Sequence, residues 1–242
     1  MVKLTIDGIQ VEAEKGTSIL HAAESVGIEV PTLCYIKDLL PDGSCRMCMV
    51  EIESRGRTKM ETACTAQVAE GLVVTTNSEK VRNARRNILD MLLSNHKTDC
   101  FSCPSNGDCK LQELCFEYGI ERTTYSGEQT ELPIDDSNKF FTYNPNLCIL
   151  CHRCVNTCHK IVGRGAIDTM ERGFDSAIGT PFHIDWADTN CESCGNCVQA
   201  CPTGALTMKR RKNYRKYQID KKVLTTCPHC ATGCQYYLLV KD

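Results

Sequence analysis

The sequence predicts an α+β protein assembled from several small units held together by metal rather than by one large apolar core. Three observations carry that expectation. Cysteine occupies 19 of the 242 positions, and the cysteines fall into groups of regular spacing. The 42% hydrophobic fraction includes those cysteines, and the aromatic complement is one Trp, eight Tyr and six Phe, which is thin for a chain of this length. Strand-like and helix-like stretches are short and separated by long loops.

The first residues show no basic stretch leading into an apolar run, so no secretory signal is read and the expected location is the cytoplasm. Thiols stay reduced there, and dense cysteine then points to metal or redox chemistry rather than disulfides. No apolar run approaches the ~18 residues of a membrane span, so no membrane insertion is expected. A net charge of -2 argues against a bulk nucleic-acid binder.

In chain order, Lys3–Ile6 and Val11–Ala13 alternate around Asp7-Gly8, a dipeptide suited to a two-residue hairpin turn. Thr17 or Ser18 caps a short helix through Val26 that carries Ile19, Ala22, Ala23 and Val26 on one side. A hairpin followed by a helix suggests a β-grasp unit over 1–78. Glu79 to about Asn95 reads as the clearest helix, capped by Ser78, with Val81, Ala84, Ile88 and Leu92 inward and Arg82, Arg85 and Arg86 in water. It opens a second unit, 79–122. Residues from Thr123 to about Ser137 are polar and aperiodic, a connector. A third unit, 138–208, is loop-rich and holds an internal repeat. The remainder, 209–242, is a basic linker and a cysteine tail.

The repeat is the strongest chemical signal. Cys148, Cys151, Cys154 and Cys158 are spaced C-x2-C-x2-C-x3-C, and Cys191, Cys194, Cys197 and Cys201 repeat that spacing with Pro202 next. Three thiolates on a tight loop cap three corners of an iron–sulfur cube, and the fourth, displaced onto the following helix, reaches the other cube. The assignment is therefore crossed: Cys148, Cys151, Cys154 and Cys201 for one [4Fe–4S] cluster, and Cys191, Cys194, Cys197 and Cys158 for the second. His159 stands after Cys158 where proline follows Cys201, which removes a rigid turn but no ligand. Gly195 and Gly204 are expected to let backbone amides approach the sulfides. Zinc is the alternative, but three cysteines within seven positions fit its tetrahedral knuckles badly.

Cys34, Cys45, Cys48 and Cys64 form C-x10-C-x2-C-x15-C on the β-grasp segment, a three-cysteine loop and a distant fourth, as in [2Fe–2S] sites. Asp42-Gly43-Ser44 supplies a turn beside Cys45. His96, Cys100, Cys103 and Cys109 follow the long helix as H-x3-C-x2-C-x5-C, in which a neutral imidazole replaces one thiolate of a third [4Fe–4S] cluster. The expected cofactors are thus one [2Fe–2S] and three [4Fe–4S] clusters.

Residues 1–210 resemble the iron–sulfur arm shared by the large peripheral subunit of NADH:quinone oxidoreductase, the N-terminal region of iron-only hydrogenases and the diaphorase small subunit of NAD-reducing hydrogenases. The likeness rests on Pro31-Thr-Leu-Cys34, Gly43-Ser-Cys-Arg-Met-Cys-Met-Val50, His96 through Cys109 with Lys110-Leu-Gln-Glu113, and Cys191 through Gly204. It implies electron relay between a flavin-containing NAD(P)H-binding subunit and a hydrogenase or formate dehydrogenase catalytic subunit in a hetero-oligomer. Ferredoxin is a further partner if the complex bifurcates electrons.

Cys227, Cys230 and Cys234 lie in Thr226-Cys-Pro-His-Cys-Ala-Thr-Gly-Cys234, which resembles the opening cluster motif of molybdopterin formate dehydrogenases. The fourth ligand is open between His229, Cys115 and a neighbouring subunit, and the tail is otherwise a vestige. Cys115 itself reads as a packed thiol. Lys209–Lys222 reads as a solvated linker or a docking strip for an acidic partner, since Tyr214 and Tyr217 are too few for base stacking. No nucleophile–base pair, dinucleotide fingerprint or open metal position is visible, so no catalytic residue is assigned. From a different class, the alternative is a zinc-dependent module binding nucleic acid or protein.

Overall fold

The structure, a computed structural model, describes residues 1–210 and 218–241. Strands β1 (Val2–Ile6) and β2 (Ile9–Ala13) pair antiparallel with Ile6 opposite Ile9. Asp7 and Gly8 both take positive φ, 48° and 84°, as the mirror-image hairpin turn requires. Helix α1 (Ile19–Ser25) begins where the Ser18 hydroxyl accepts the His21 amide, and it buries Ile19, Leu20, Ala22 and Ala23. Strands β3 (Met49–Ser54), β4 (Arg57–Thr62) and β5 (Leu72–Thr75) complete a five-stranded sheet of order β2-β1-β5-β3-β4, in which β1 and β5 run parallel. Leu4, Ile6, Val11, Val50, Ile52 and Val74 join α1 in a dry core. The long passage from α1 to β3 carries Cys34, Cys45 and Cys48.

Helix α2 (Glu79–Ser94) starts at Ser78, as the capping pattern predicts, but its buried face is rotated by one position. Val81, Arg85, Leu89 and Leu93 are inward, while Ala84, Ile88 and Leu92 are half-buried. Arg85, expected in water, is only 3% exposed. Its guanidinium donates to the Met49 carbonyl at 2.7 Å and the Tyr118 hydroxyl at 3.0 Å, partners that make burial of the charge tolerable. Helix α3 (Lys110–Glu117) contributes Leu111 and Leu114 to a second core with Leu89, Leu93, Leu33 and Met47, so this core welds the second unit to the cysteine loop of the first.

The connector has no helix or regular strand, yet it is pinned along its length. The Asp90 carboxylate accepts the Thr123 hydroxyl at 2.7 Å and the Thr124 amide at 2.8 Å, Asn95 accepts the Thr130 amide at 2.7 Å, and Asn146 exchanges two hydrogen bonds with Leu132. In the third unit, β6 (Phe141–Tyr143) pairs antiparallel with β9 (Leu206–Met208), bringing the two ends of the repeat together. Between them run α4 (Arg153–Asn156), the hairpin β7 (Asp168–Met170) and β8 (Ala177–Gly179), and α5 (Asn196–Ala200). Trp186 fills the middle, edge-on to Phe141 and Tyr143 with centroids 5.3 and 5.0 Å away.

The tail departs from the expected linker: β10 (Lys221–Thr226) and β11 (Gln235–Val240) form an antiparallel hairpin whose loop holds the last cysteines. The middle of the basic run, 211–217, with Tyr214 and Tyr217, lies outside the described residues. Among the described residues no helix is long and apolar enough to cross a membrane.

Candidate metal centres

The four cysteines of the β-grasp unit are all buried and converge from its long loop and the end of β4. They meet as two pairs. Cys34 and Cys45 share a hydrogen bond, and the sulfurs of Cys48 and Cys64 are 3.4 Å apart. A hydrogen bond with the Cys45 thiol holds Cys34 well below the usual thiol range, and one with Cys64 lowers Cys48, so each pair presents one thiolate-prone sulfur. Two sulfurs per iron is the ligand demand of a [2Fe–2S] rhomb. The Asp42-Gly43-Ser44 turn aims its amides at Cys34: those of Ser44 and Cys45 bond the Cys34 sulfur, while those of Leu33 and Met47 serve Cys45. Gly43 is at φ 64°, a conformation glycine adopts without strain.

His96 leaves the end of α2 buried, at 7% exposure, with its Nδ1 atom lacking a hydrogen-bond partner. Burial pulls its pKa down to about 4, so the ring is neutral at ordinary pH and free to ligate. Burial pushes the Cys100 and Cys109 thiols up, Cys109 to about 11, and the nearby Cys103 adds to both. Cys115 packs in the second core beside Cys109 and Cys100, as a packed thiol should. Gly204 does something its spacing does not reveal. A Cβ there would stand 2.7 Å from the Cys103 sulfur and 3.3 Å from Leu147, so this glycine clears room for the histidine-containing site. Gly204→Ala is expected to displace Cys103 and lower iron at that site by up to about four atoms while leaving the [2Fe–2S] signal intact; anaerobic iron analysis with electron paramagnetic resonance (EPR) reads both.

In the third unit the two halves of the repeat share one backbone. Leu150 and His152 take φ of 50° and 58°, and Ser193 and Gly195 take 55° and 75° at the matching positions. The Leu150 amide donates to the Cys148 sulfur and the Ser193 amide to the Cys191 sulfur, both at 3.4 Å, bonds of the kind that tune a cluster. The fourth cysteine of each run lies with the opposite run. Cys201 acts electrostatically on Cys148, Cys151 and Cys154, and Cys158 acts on Cys197 together with Cys191 and Cys194. Cys158, Cys191, Cys194 and Cys197 line one small pocket together. The Ala166 amide reaches the Cys158 sulfur at 3.4 Å, which His159, bonded to the Ile167 carbonyl at 2.9 Å, helps to place. Burial pushes Cys148 up to about 11 and Cys151 and Cys197 up to about 12, so metal entering these sites displaces thiol protons.

Cys227, Cys230 and Cys234 sit on the hairpin loop, where the Cys227 amide donates to the Cys234 carbonyl at 2.8 Å and Cys230 and Cys234 are exposed. Among the described residues no three His, Cys, Asp or Glu side chains close around a single ion. Donor chemistry, the unpartnered imidazole nitrogen and the space cleared at Gly204 all fit iron–sulfur clusters.

Comparison with known proteins identifies four matching regions along the chain. Residues 1–79 match a 2Fe-2S iron-sulfur cluster binding domain, 85–124 the NADH-ubiquinone oxidoreductase-G iron-sulfur binding region, 140–207 the NADH-quinone oxidoreductase subunit 3 ferredoxin-like domain, and 190–237 a 4Fe-4S dicluster domain. The chain is 42% identical over 238 residues to an NADH-quinone oxidoreductase subunit of Rhizobium meliloti (strain 1021), covering 97% of this chain and 27% of that protein. It is 43% identical over 235 residues to NADPH-Fe(3+) oxidoreductase subunit alpha of Geobacter sulfurreducens, with the same coverage. It is 38% identical over 211 residues to NADP-reducing hydrogenase subunit HndD of Solidesulfovibrio fructosivorans, covering 85% and 36%. The chain thus spans about a quarter to a third of the length of these relatives. The solved structure of NAD+-reducing [NiFe]-hydrogenase in the H2-reduced state matches with a TM-score of 0.79 and 30% identity, over 86% of this chain and 88% of that one. The chain belongs to the family of iron–sulfur electron-transfer arms shared by the NADH-ubiquinone oxidoreductase-G group and NAD-reducing hydrogenases.

Proposed function

We propose that the chain is the electron-relay part of an NAD(P)H-linked oxidoreductase complex, standing between a flavin-containing NAD(P)H-binding subunit and a catalytic subunit. The observation that carries this reading is the gathering of Cys148, Cys151 and Cys154 with Cys201, and of Cys191, Cys194 and Cys197 with Cys158. Its units are 1–78, 79–122, 138–208 and 209–242. In them Cys34, Cys45, Cys48 and Cys64 would hold one [2Fe–2S] cluster, and the three other sets one [4Fe–4S] cluster each. When bound, such clusters take up and release single electrons. The chain's own residues hold the sulfurs at fixed places, aim amides at them and, through Leu33, Met47, Tyr143 and Trp186, keep water away.

Likeness to a hydrogenase structure and to a hydrogenase subunit favours hydrogen as the terminal substrate. The Thr226 to Cys234 loop favours formate, with a fourth ligand to Cys227, Cys230 and Cys234 from His229, Cys115 or a neighbouring subunit. Anaerobic mixing with the cognate flavin subunit and NADH or NADPH tests the relay. Visible bleaching with a catalytic amount of flavin subunit is expected, whereas reduction by dithionite alone would contradict it.

A further inference from the structure

Arg153 lies between Cys151 and Cys154 at the start of α4, half-buried, and its side chain reaches two other cysteine loops. Its Nε donates at 2.7 Å to the carbonyl of Ala200, the residue before Cys201. Its Nη1 donates at 2.9 Å to the carbonyl of Tyr35, the residue after Cys34 and 118 positions away. Its own amide and its charge both act on Cys151. One guanidinium is thereby tied to the loop it grows from, to the loop of the crossed ligand, and to the β-grasp cysteine loop. Beside it, the Asn156 amide group donates to the Asp42 carboxylate, and Lys160, just beyond α4, stands 3.9 Å from the same group, so α4 and the segment after it grip the 35–42 loop at a second point.

We propose that Arg153 is a positioning residue that fixes the spacing between the Cys34 set and the Cys148 set and places a permanent positive charge between them. The proposal rests on the ligand sets argued above and adds what holds two of them in register. Arginine suits the task because its planar fork presents fixed donors in different directions and stays charged at any working pH, whereas lysine keeps the charge but not the fork. A positive charge beside a site that becomes more negative on reduction raises its potential, while the fork sets the separation. The two contributions are separable by substitution.

The test uses Arg153→Gln and Arg153→Lys in the full chain, prepared without oxygen, with iron and acid-labile sulfide measured on every sample. The fully reduced proteins are examined by EPR for magnetic interaction between the [2Fe–2S] signal and its neighbour, and by redox titration. Loss of one hydrogen bond to a charged donor lowers the docking equilibrium constant by at least about tenfold, so both variants are expected to weaken the interaction. Arg153→Gln is further expected to shift the midpoint of the Cys148 site to a more negative value, and Arg153→Lys to keep it near that of the unsubstituted protein. Arg153→Gln with full iron, unchanged interaction and unchanged midpoint would overturn the proposal. Should Arg153→Gln fail to retain its clusters, an unchanged interaction in Arg153→Lys would overturn it equally. Unsubstituted protein without iron and sulfide would overturn the ligand sets themselves, an outcome distinguishable from failure of Arg153 alone.

Discussion

Cys201→Ala is expected to strip or convert the cluster of the first repeat run, that of Cys148, Cys151 and Cys154, and to spare the cluster of its own run. The expectation follows from placement: Cys201 loads all three cysteines of the first run, while Cys158 completes the second. Losing one thiolate of four leaves one iron without a protein ligand, and the loss is up to about four irons per chain. The reciprocal variant, Cys158→Ala, is expected to remove the other signal. Iron analysis and low-temperature EPR of both variants, side by side, check the pattern. If each substitution affected only its own run, the crossed arrangement would be wrong.

His96→Ala is expected to have a comparable effect on a different site. The imidazole is buried, its Nδ1 is unpartnered, and its pKa of about 4 keeps it neutral without help from a metal. Alanine removes the only nitrogen donor of the set, so one [4Fe–4S] signal should vanish with up to about four irons while the other centres persist. His96→Cys should restore the iron but lower the potential, because thiolate adds a negative charge that imidazole does not. A redox titration that found the potential unchanged in both variants would remove His96 from the ligands.

The gathering of cysteines in the repeat is legible because it is local: three of the four in each run sit within seven positions, and the backbone turns they need are short-range. The β1–β2 hairpin and the two helix caps are legible for the same reason, since Asp7-Gly8, Ser18 and Ser78 act on residues beside them. What the sequence conceals is long-range. Arg85 reads as solvent-facing because its partners, Met49 and Tyr118, are brought in by other elements. The role of Gly204 depends on Cys103, about a hundred positions earlier, and the pins of the connector depend on Asp90, Asn95 and Asn146. The tail hairpin leaves no pattern to read, because Gln235–Val240 is apolar without alternation and so shows no inward face.

The decisive measurement is iron and acid-labile sulfide per chain in protein prepared under strict anoxia from cells able to assemble clusters. A brown protein with about 14 irons and as many sulfides is expected, or about 18 if Cys227, Cys230 and Cys234 hold a further cluster. A colourless protein free of sulfide, carrying about four or five zinc ions, would contradict the electron-relay reading and leave a zinc-bound module in its place.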